Sequence, residues 1–585
     1  MRQSTMIIFL IISVIQTIWA VILLKQDSLS TSHWFIFALH ICSLLIIVTA
    51  YLSASKKSIL NFFKKRKKQE LILFLMLTII SLSVNFWALK SYPFVSLGDE
   101  VRDAGLDAMR IATGTNRNLF GYGNYVAYGL IIPTVSSFFF RIFGNSALTY
   151  RIPSGLIASF DILLIYLLLR GLTNKTAAFL GAISLLGFPL HLYFGRTEFV
   201  VILSSFFTSA ILLAVYILFE KRRLIDIILT ATLLGFTAQF HAAVRVVALI
   251  GFMSVLLFIL LTNLSKRQKI RQKIKYTGFS LLLLIIFSLI GFGPQIVATN
   301  KDVFFHISRF SFKNNLDKKS LPSWLELKEL EGKYKKSFMV WFYEPTTFFY
   351  MDRKPLLSSL TAAIWLLGIG YAIFIAKKPF LIFPLFLVIA IPFFNSAITD
   401  NLNADHRLIV LLPVAAFFIS YGIFYLYKVF NNNKIRNLIF VSFAFYLFLN
   451  IVSYYKNQPA NIGRDINQYV DMHTVYFLQK MFPKSGILIS DSRKNKVCLL
   501  VSPANYNNFR LMHYKEQFDY FLPHLTPEFV PLNNLSDAEI FISPGNCTAF
   551  DLTVKKVERT VCGGKSNYFC PLNFTGNIEI NYGNF

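Results

Sequence analysis

Charged residues are scarce in this chain, and acidic ones scarcer still. Of 585 residues 15% are charged, and 30 Asp and Glu stand against 58 Lys and Arg. Beside 55% hydrophobic residues and 61 Phe, so little charge leaves more apolar surface than a soluble chain can bury. An ordinary water-soluble globular protein is excluded, and lipid must be the solvent for most of the chain. Mean hydropathy, +0.54, agrees. Cysteine is also rare: there are five, four of them in the last hundred residues. No close Cys-x-x-Cys or paired His spacing accompanies those four, so the usual pattern of a structural zinc site is missing. No internal repeat with paired broken helices is visible, which removes the main signature of a secondary transporter.

What is abundant is positive charge, a net +28. In a soluble protein that would point to nucleic acid. Here the basic residues sit in short loops between apolar runs of roughly 17 to 22 residues, where they orient a membrane protein by staying on the cytoplasmic side. No nucleic-acid partner is expected. Lys64 to Lys68, Arg170 with Lys175, Lys221 to Arg223, Lys266 to Lys275, Lys377-Lys378, and Lys428 with Lys434 and Arg436 are each one helix pair from the next. The length rule gives about thirteen spans, near 6–24, 34–54, 71–89, 151–170, 176–192, 199–219, 224–240, 245–263, 277–298, 357–376, 379–397, 407–428 and 437–453. The amino terminus is then inside and the carboxyl terminus outside.

The stretch Tyr125 to Phe143 is long enough for another span, but counting it would invert the later basic loops. With Gly129 and Pro133 inside it, it is expected to lie along the outer interface, with Phe138, Phe139 and Phe140 at the headgroups. The first apolar run lacks a small-residue cleavage site and is expected to be an uncleaved anchor.

Three regions fall outside the membrane on the far side. The first loop, 90–150, carries the acidic pair Asp99-Glu100 about ten residues past an apolar run. It continues into an amphipathic stretch from Val101 to Ile111, whose Arg102, Asp103, Asp107 and Arg110 are expected to ride the membrane surface. The second loop, 299–355, mixes charge with aromatics (FMVWFYEPTTFFYMDRKP) and suits either a cover over a cleft or an aromatic belt. The tail, 453–585, alternates short apolar segments with turn residues and reads as a small mixed α/β domain. Its Cys498, Cys547, Cys562 and Cys570 allow one or two disulfides in an extracytoplasmic compartment.

Several stretches, taken in order, carry a resemblance: the far-side acidic pair, IFGNSALTYRIPS at 142–154, FPLHLYFGRTE at 188–198, FHAAVRVV at 240–247 and DHRLIVLLP at 405–413. Together they resemble polyprenyl-phosphate-sugar-dependent glycosyltransferases of the GT-C group, which includes protein O-mannosyltransferases and the lipid A aminoarabinose transferases. The likeness runs through 71–452, with two extra helices in 1–70 before it. It implies a membrane-embedded catalytic domain, a polyprenyl-phosphate sugar donor and a hydroxyl-bearing acceptor. Asp99 would be general base, with Glu100 orienting it or contacting the acceptor. Arg196, Arg245 and Arg407, each at an expected outer helix end, would hold the donor phosphate. Any of the three could instead snorkel to headgroups. Glu198 and His241 would orient groups or meet the acceptor, with His406 a neighbouring candidate. The resemblance is to members that need no cofactor; a divalent ion on Asp99 and Glu100 is chemically possible but not favoured. One departure stands out: where the family places Lys or His before prolines, this chain has YVAYGLIIP, with Tyr128 nearest. A ligase or polymerase of lipid-linked glycans is the closest rival reading.

The expected whole is an α-helical polytopic protein of the cell or plasma membrane, GT-C-like, with its catalytic face and tail extracytoplasmic.

Overall fold

In the computed structural model the described residues are 3–26, 33–65, 68–89, 95–97, 105–117, 119–120, 130–144, 147–197, 199–264, 270–298, 324–346, 350, 354–398, 402–457 and the strands between 469 and 579. The apolar runs form helices as expected: α1 Gln3–Gln26, α2 His33–Lys65 and α3 Lys68–Phe86 come first. Strand β1, Val95–Leu97, and the short α4, Asp107–Ala112, lie in the first loop. Then follow α5 Ile131–Phe143, α6 Ala147–Leu172, α7 Lys175–Leu186, α8 Pro189–Arg196, α9 Phe199–Lys221, α10 Leu224–Thr237, α11 Ala242–Leu264 and α12 Ile270–Phe292. The rest are α13 Gln295–Ala298, α14 Trp324–Met339, α15 Ser359–Tyr371, α16 Ile382–Ile398, α17 Asp405–Leu408, α18 Leu411–Val429 and α19 Asn433–Asn457.

Eleven described helices are long and apolar enough to cross a membrane, or twelve if α7 and α8 make one span. Thirteen is not reached by length and composition, for two physical reasons. The run 176–192 is not one rod: Gly187 and Pro189 interrupt it, and α8 turns 61° from α7. The run 224–240 gives a helix of only 14 residues, whose exit tightens into i→i+3 bonds at Gln239 and Phe240. α5 is 13 residues, about 20 Å at 1.5 Å per residue and too short to span. It buries Ile131, Ile132, Ser136 and Phe140 and exposes Phe138, Ile142 and Phe143, so Phe140 faces protein rather than headgroups.

Two devices hold helices together where hydrophobicity cannot, because lipid is as apolar as the core. Small residues bring backbones close. A Cβ on Gly235 would lie 1.8 Å from the Ser288 carbonyl oxygen, and one on Gly368 equally close to that of Phe418, so α10 seats on α12 and α15 on α18. Buried hydroxyls do the rest: Ser13, Thr17 and Ser43 form a chain of 2.7–2.9 Å bonds between α1 and α2.

Arg170, Lys175 and Arg223, from two of the basic loops, are tied to the later part of α2 and the start of α3. Arg170 Nη2 meets Glu70 at 2.5 Å, Lys175 Nζ donates to Gln69 at 2.9 Å, and Arg223 Nη2 donates to Ser55 at 3.0 Å. At the other end the two extra helices pack against described residues of the first loop: the Leu119 N–H donates to His33 Nδ1, and Phe120 packs among Phe37, Leu130 and Ile131. α4 departs from expectation there, because Asp107 is 3% exposed rather than on a wet face.

In the tail, β2 Tyr469–Asp471 pairs antiparallel with β1. Five further strands, β3 Lys496–Val501, β4 Thr526–Pro531, β5 Glu539–Pro544, β6 Thr553–Glu558 and β7 Asn573–Glu579, form a mixed sheet of order β4-β3-β5-β6-β7. The tail residues described beyond α19 are all strand, so the α part of the expected α/β domain lies outside the described residues. So do the side chain of Cys498 and all of Cys547, Cys562 and Cys570, and with them the disulfide expectation.

Candidate functional site

Polar side chains gather at the end of the bundle opposite the basic loops, in two linked groups. The first surrounds the root of the first loop. α3 ends with carbonyls that no further helical N–H can satisfy. Arg196, at the last turn of α8 and 0% exposed, reaches them: Nη1 donates to Val84 O at 2.9 Å and Asn85 O at 2.8 Å, and Nη2 to Trp87 O at 2.6 Å. Positive charge at a helix C-terminus also suits the helix dipole. Tyr455 completes the clamp, with its hydroxyl donating to Val84 O and accepting from Arg196 Nη1, and its ring 4.8 Å from Trp87. Arg151, also fully buried, donates to Leu89 O at 3.2 Å.

The second group joins α11 to α17. His241 stands just before α11, and its Nδ1 accepts from the Ala243 N–H at 3.4 Å. Its ring lies 5.7 Å from that of His406. Burial pushes the His241 imidazole well below its ordinary pKa, and the charges of His406, Arg407 and Arg245 push the same way. His241 is therefore neutral near pH 7, which suits a group accepting a bond at a helix start. Arg245 and Arg407 are half-buried and close enough to His241 for both to act on it. Two guanidiniums, each able to grip an anion with paired N–H groups, thus stand within electrostatic reach of one imidazole.

Asp405 locks this group to the second loop. It is 0% exposed, its Oδ2 accepts from the Tyr350 N–H at 2.5 Å, and its Oδ1 accepts from the His406 N–H at 2.6 Å. The Tyr350 ring lies 5.0 Å from Tyr193 on α8 and 5.9 Å from Tyr454 on α19, so a continuous row of contacts runs from His406 to the Arg196 clamp. Beside Tyr350 a cavity of about 360 Å³ opens, lined among others by Lys354, Ser358, Tyr446 and Asn450. Its size is that of a small-ligand pocket.

Of the residues expected to act, Arg245, Arg407 and His241 come together with His406. Arg196 lies in the neighbouring group, with its described bonds directed at backbone and Tyr455. Asp99, Glu100, Tyr128 and Glu198 lie outside the described residues. Among the described residues, no group of three or more His, Cys, Asp and Glu is placed to hold a metal ion. Sequence reasoning missed Asp405, although it opens the stretch DHRLIVLLP. It also missed the fully buried pair Asp161 and His191, Oδ2 to Nε2 3.1 Å, which fastens α8 to α6. Within the second loop, Trp341 is 0% exposed and its ring packs, tilted, 4.9 Å from that of Trp365, so part of that aromatic segment is core and not belt.

Fold and site together define a polytopic helical membrane protein with its polar machinery at one end. Residues 129–291 match the family described as dolichyl-phosphate-mannose-protein mannosyltransferase, which bears out the resemblance to GT-C glycosyltransferases and supports a membrane glycosyltransferase. No curated protein matches the chain by sequence. Among solved structures it is similar to the Archaeoglobus fulgidus oligosaccharyltransferase in complex with zinc and sulfate, at 15% identity and TM-score 0.45, covering 80% of this chain and 63% of that one. It is similar also to ArnT from Cupriavidus metallidurans bound to undecaprenyl phosphate, at 13% identity and TM-score 0.41, covering 71% and 73%. A third is the S. cerevisiae Pmt1-Pmt2 complex bound to the sugar donor, at 16% identity and TM-score 0.33, covering 44% and 38%. The chain thus spans under two thirds of the length of the first and third of these.

Proposed function

We propose that this protein is an inverting glycosyltransferase that moves a sugar from a polyprenyl-phosphate donor to a hydroxyl of an extracytoplasmic acceptor. The observation that carries the reading is that Arg245 and Arg407, from separate elements, both lie within electrostatic reach of His241, whose ring neighbours His406, within a chain whose residues 129–291 match a lipid-phosphate-sugar transferase family. Asp99 takes the proton of the acceptor hydroxyl as its oxygen attacks the anomeric carbon. The bond from that carbon to the phosphate oxygen breaks on the opposite face, and polyprenyl phosphate leaves with the negative charge, which Arg245 and Arg407 receive. Because the leaving group is already stabilised, one carboxylate suffices where glycosidases use two. Glu100 orients Asp99, Glu198 and Tyr128 flank the acceptor or donor, and the reaction needs no metal.

The catalytic domain is 71–452, with the extra helices 1–70 before it and the α/β tail 453–585 beyond it. α10, prolonged by the tight turns at Gln239 and Phe240, and the bent pair α7 and α8 count as spans, which makes thirteen and puts the Arg196 and Arg245 groups outside. A cysteine at Asn118 should then react with an impermeant reagent from outside and one at Lys269 should not; equal labelling in sealed, oriented vesicles would remove this topology. The activity itself is tested by supplying the purified protein with polyprenyl-phosphate sugars and a hydroxyl acceptor. Release of polyprenyl phosphate with an inverted anomeric centre supports the reading, and retention of configuration contradicts it.

A further inference from the structure

The first loop is tied twice to one short stretch of chain, and both ties precede its acidic pair. At the root, Tyr455 at the end of α19 bonds the Val84 carbonyl and meets Trp87 edge to face. Further along each segment, Val95, Ser96 and Leu97 face Asp471, Val470 and Tyr469 across an antiparallel ladder. Asp99 follows Leu97 by two residues. A two-stranded ladder this short is marginal alone, but here the Tyr455 clamp already holds the neighbouring chain, so little freedom is left to lose when it forms.

From these two ties we infer that Tyr455 and strand β2 together act as a positioning strap: they fix where strand 95–97 points and hence where the following acidic pair stands. The inference rests on the reading of Asp99 as base. A catalytic group displaced by about 1 Å costs roughly a hundredfold in rate. The phosphate-holding arginines are on α11 and α17, elements the strap does not include. Releasing it therefore lowers kcat and leaves donor KM unchanged.

The test uses the full chain. Ser96→Cys with Val470→Cys should form a disulfide under mild oxidation, since the two Cα atoms face each other, whereas Ser96→Cys with Asp471→Cys should form little because neighbours along a strand point to opposite faces. Val470→Pro removes a backbone donor and should cut kcat by about tenfold or more at constant donor KM. Adding Leu97→Cys and Tyr469→Cys to that variant and oxidising should restore kcat. Absence of the register-specific disulfide, or wild-type kcat in Val470→Pro, overturns the strap. Failure of the transferase reading would appear instead as no sugar transfer by the wild type, with the disulfide result still deciding the pairing.

Discussion

Arg196 and the pair Arg245 with Arg407 stand at the same end of the bundle and come from the same kind of motif, yet the structure uses them differently. Arg196 is fully buried and directs its described hydrogen bonds to three carbonyls at the end of α3 and to Tyr455. Arg245 and Arg407 are half-buried and lie on separate elements that only the fold brings together. An arginine at a helix end can thus finish a neighbouring helix or serve a ligand, and burial with carbonyl partners marks the first use.

Substitutions sharpen that contrast. Arg196→Met should have the largest effect on folding, because three carbonyls at the end of α3 lose a charged donor at once; the cost should be about 3 kcal/mol, read as a lower thermal midpoint in detergent. Unchanged stability would erase the distinction. Arg245→Lys and Arg407→Lys should leave the midpoint near wild type and reduce turnover by about tenfold, since an ammonium cannot copy a two-pronged grip. If Lys serves as well as Arg in transfer and in lipid-phosphate binding, these residues only snorkel. The smallest effect concerns pH. His241 has a lowered pKa in the folded protein, so below about pH 6.5 the unfolded chain binds a proton that the folded one does not. Stability should therefore fall as pH drops through that value and continue to fall until the lowered pKa is reached. His241→Asn, which keeps a helix-start acceptor, should flatten that slope, and an unchanged slope would assign the acid sensitivity elsewhere.

The sequence made the helices and their polarity legible, because runs of apolar residues and basic loops are local signals. The contacts of Arg170 with Glu70 and of Arg223 with Ser55 fit the alternation read from charge alone. Long-range contacts were not legible. Nothing near Arg196 in sequence announces Val84 to Trp87 as its partners, and the Tyr350 N–H that Asp405 accepts comes from a loop 55 residues away. The break between α7 and α8 was hidden because Gly187 and Pro189 sit inside a run apolar enough to read as one span. Asp107 was expected at the membrane surface by its spacing, yet it is 3% exposed on a helix that packs against α5.

The central claim is that one carboxylate in the first loop takes the acceptor proton while the arginines hold the phosphate. Release of polyprenyl phosphate should be measured for wild type, Asp99→Asn and Glu100→Gln at saturating donor. Asp99→Asn keeps the shape but cannot accept a proton, so its turnover should fall by roughly a hundredfold or more with donor binding intact, and Glu100→Gln should be milder. Equal turnover of Asp99→Asn and wild type would contradict the account.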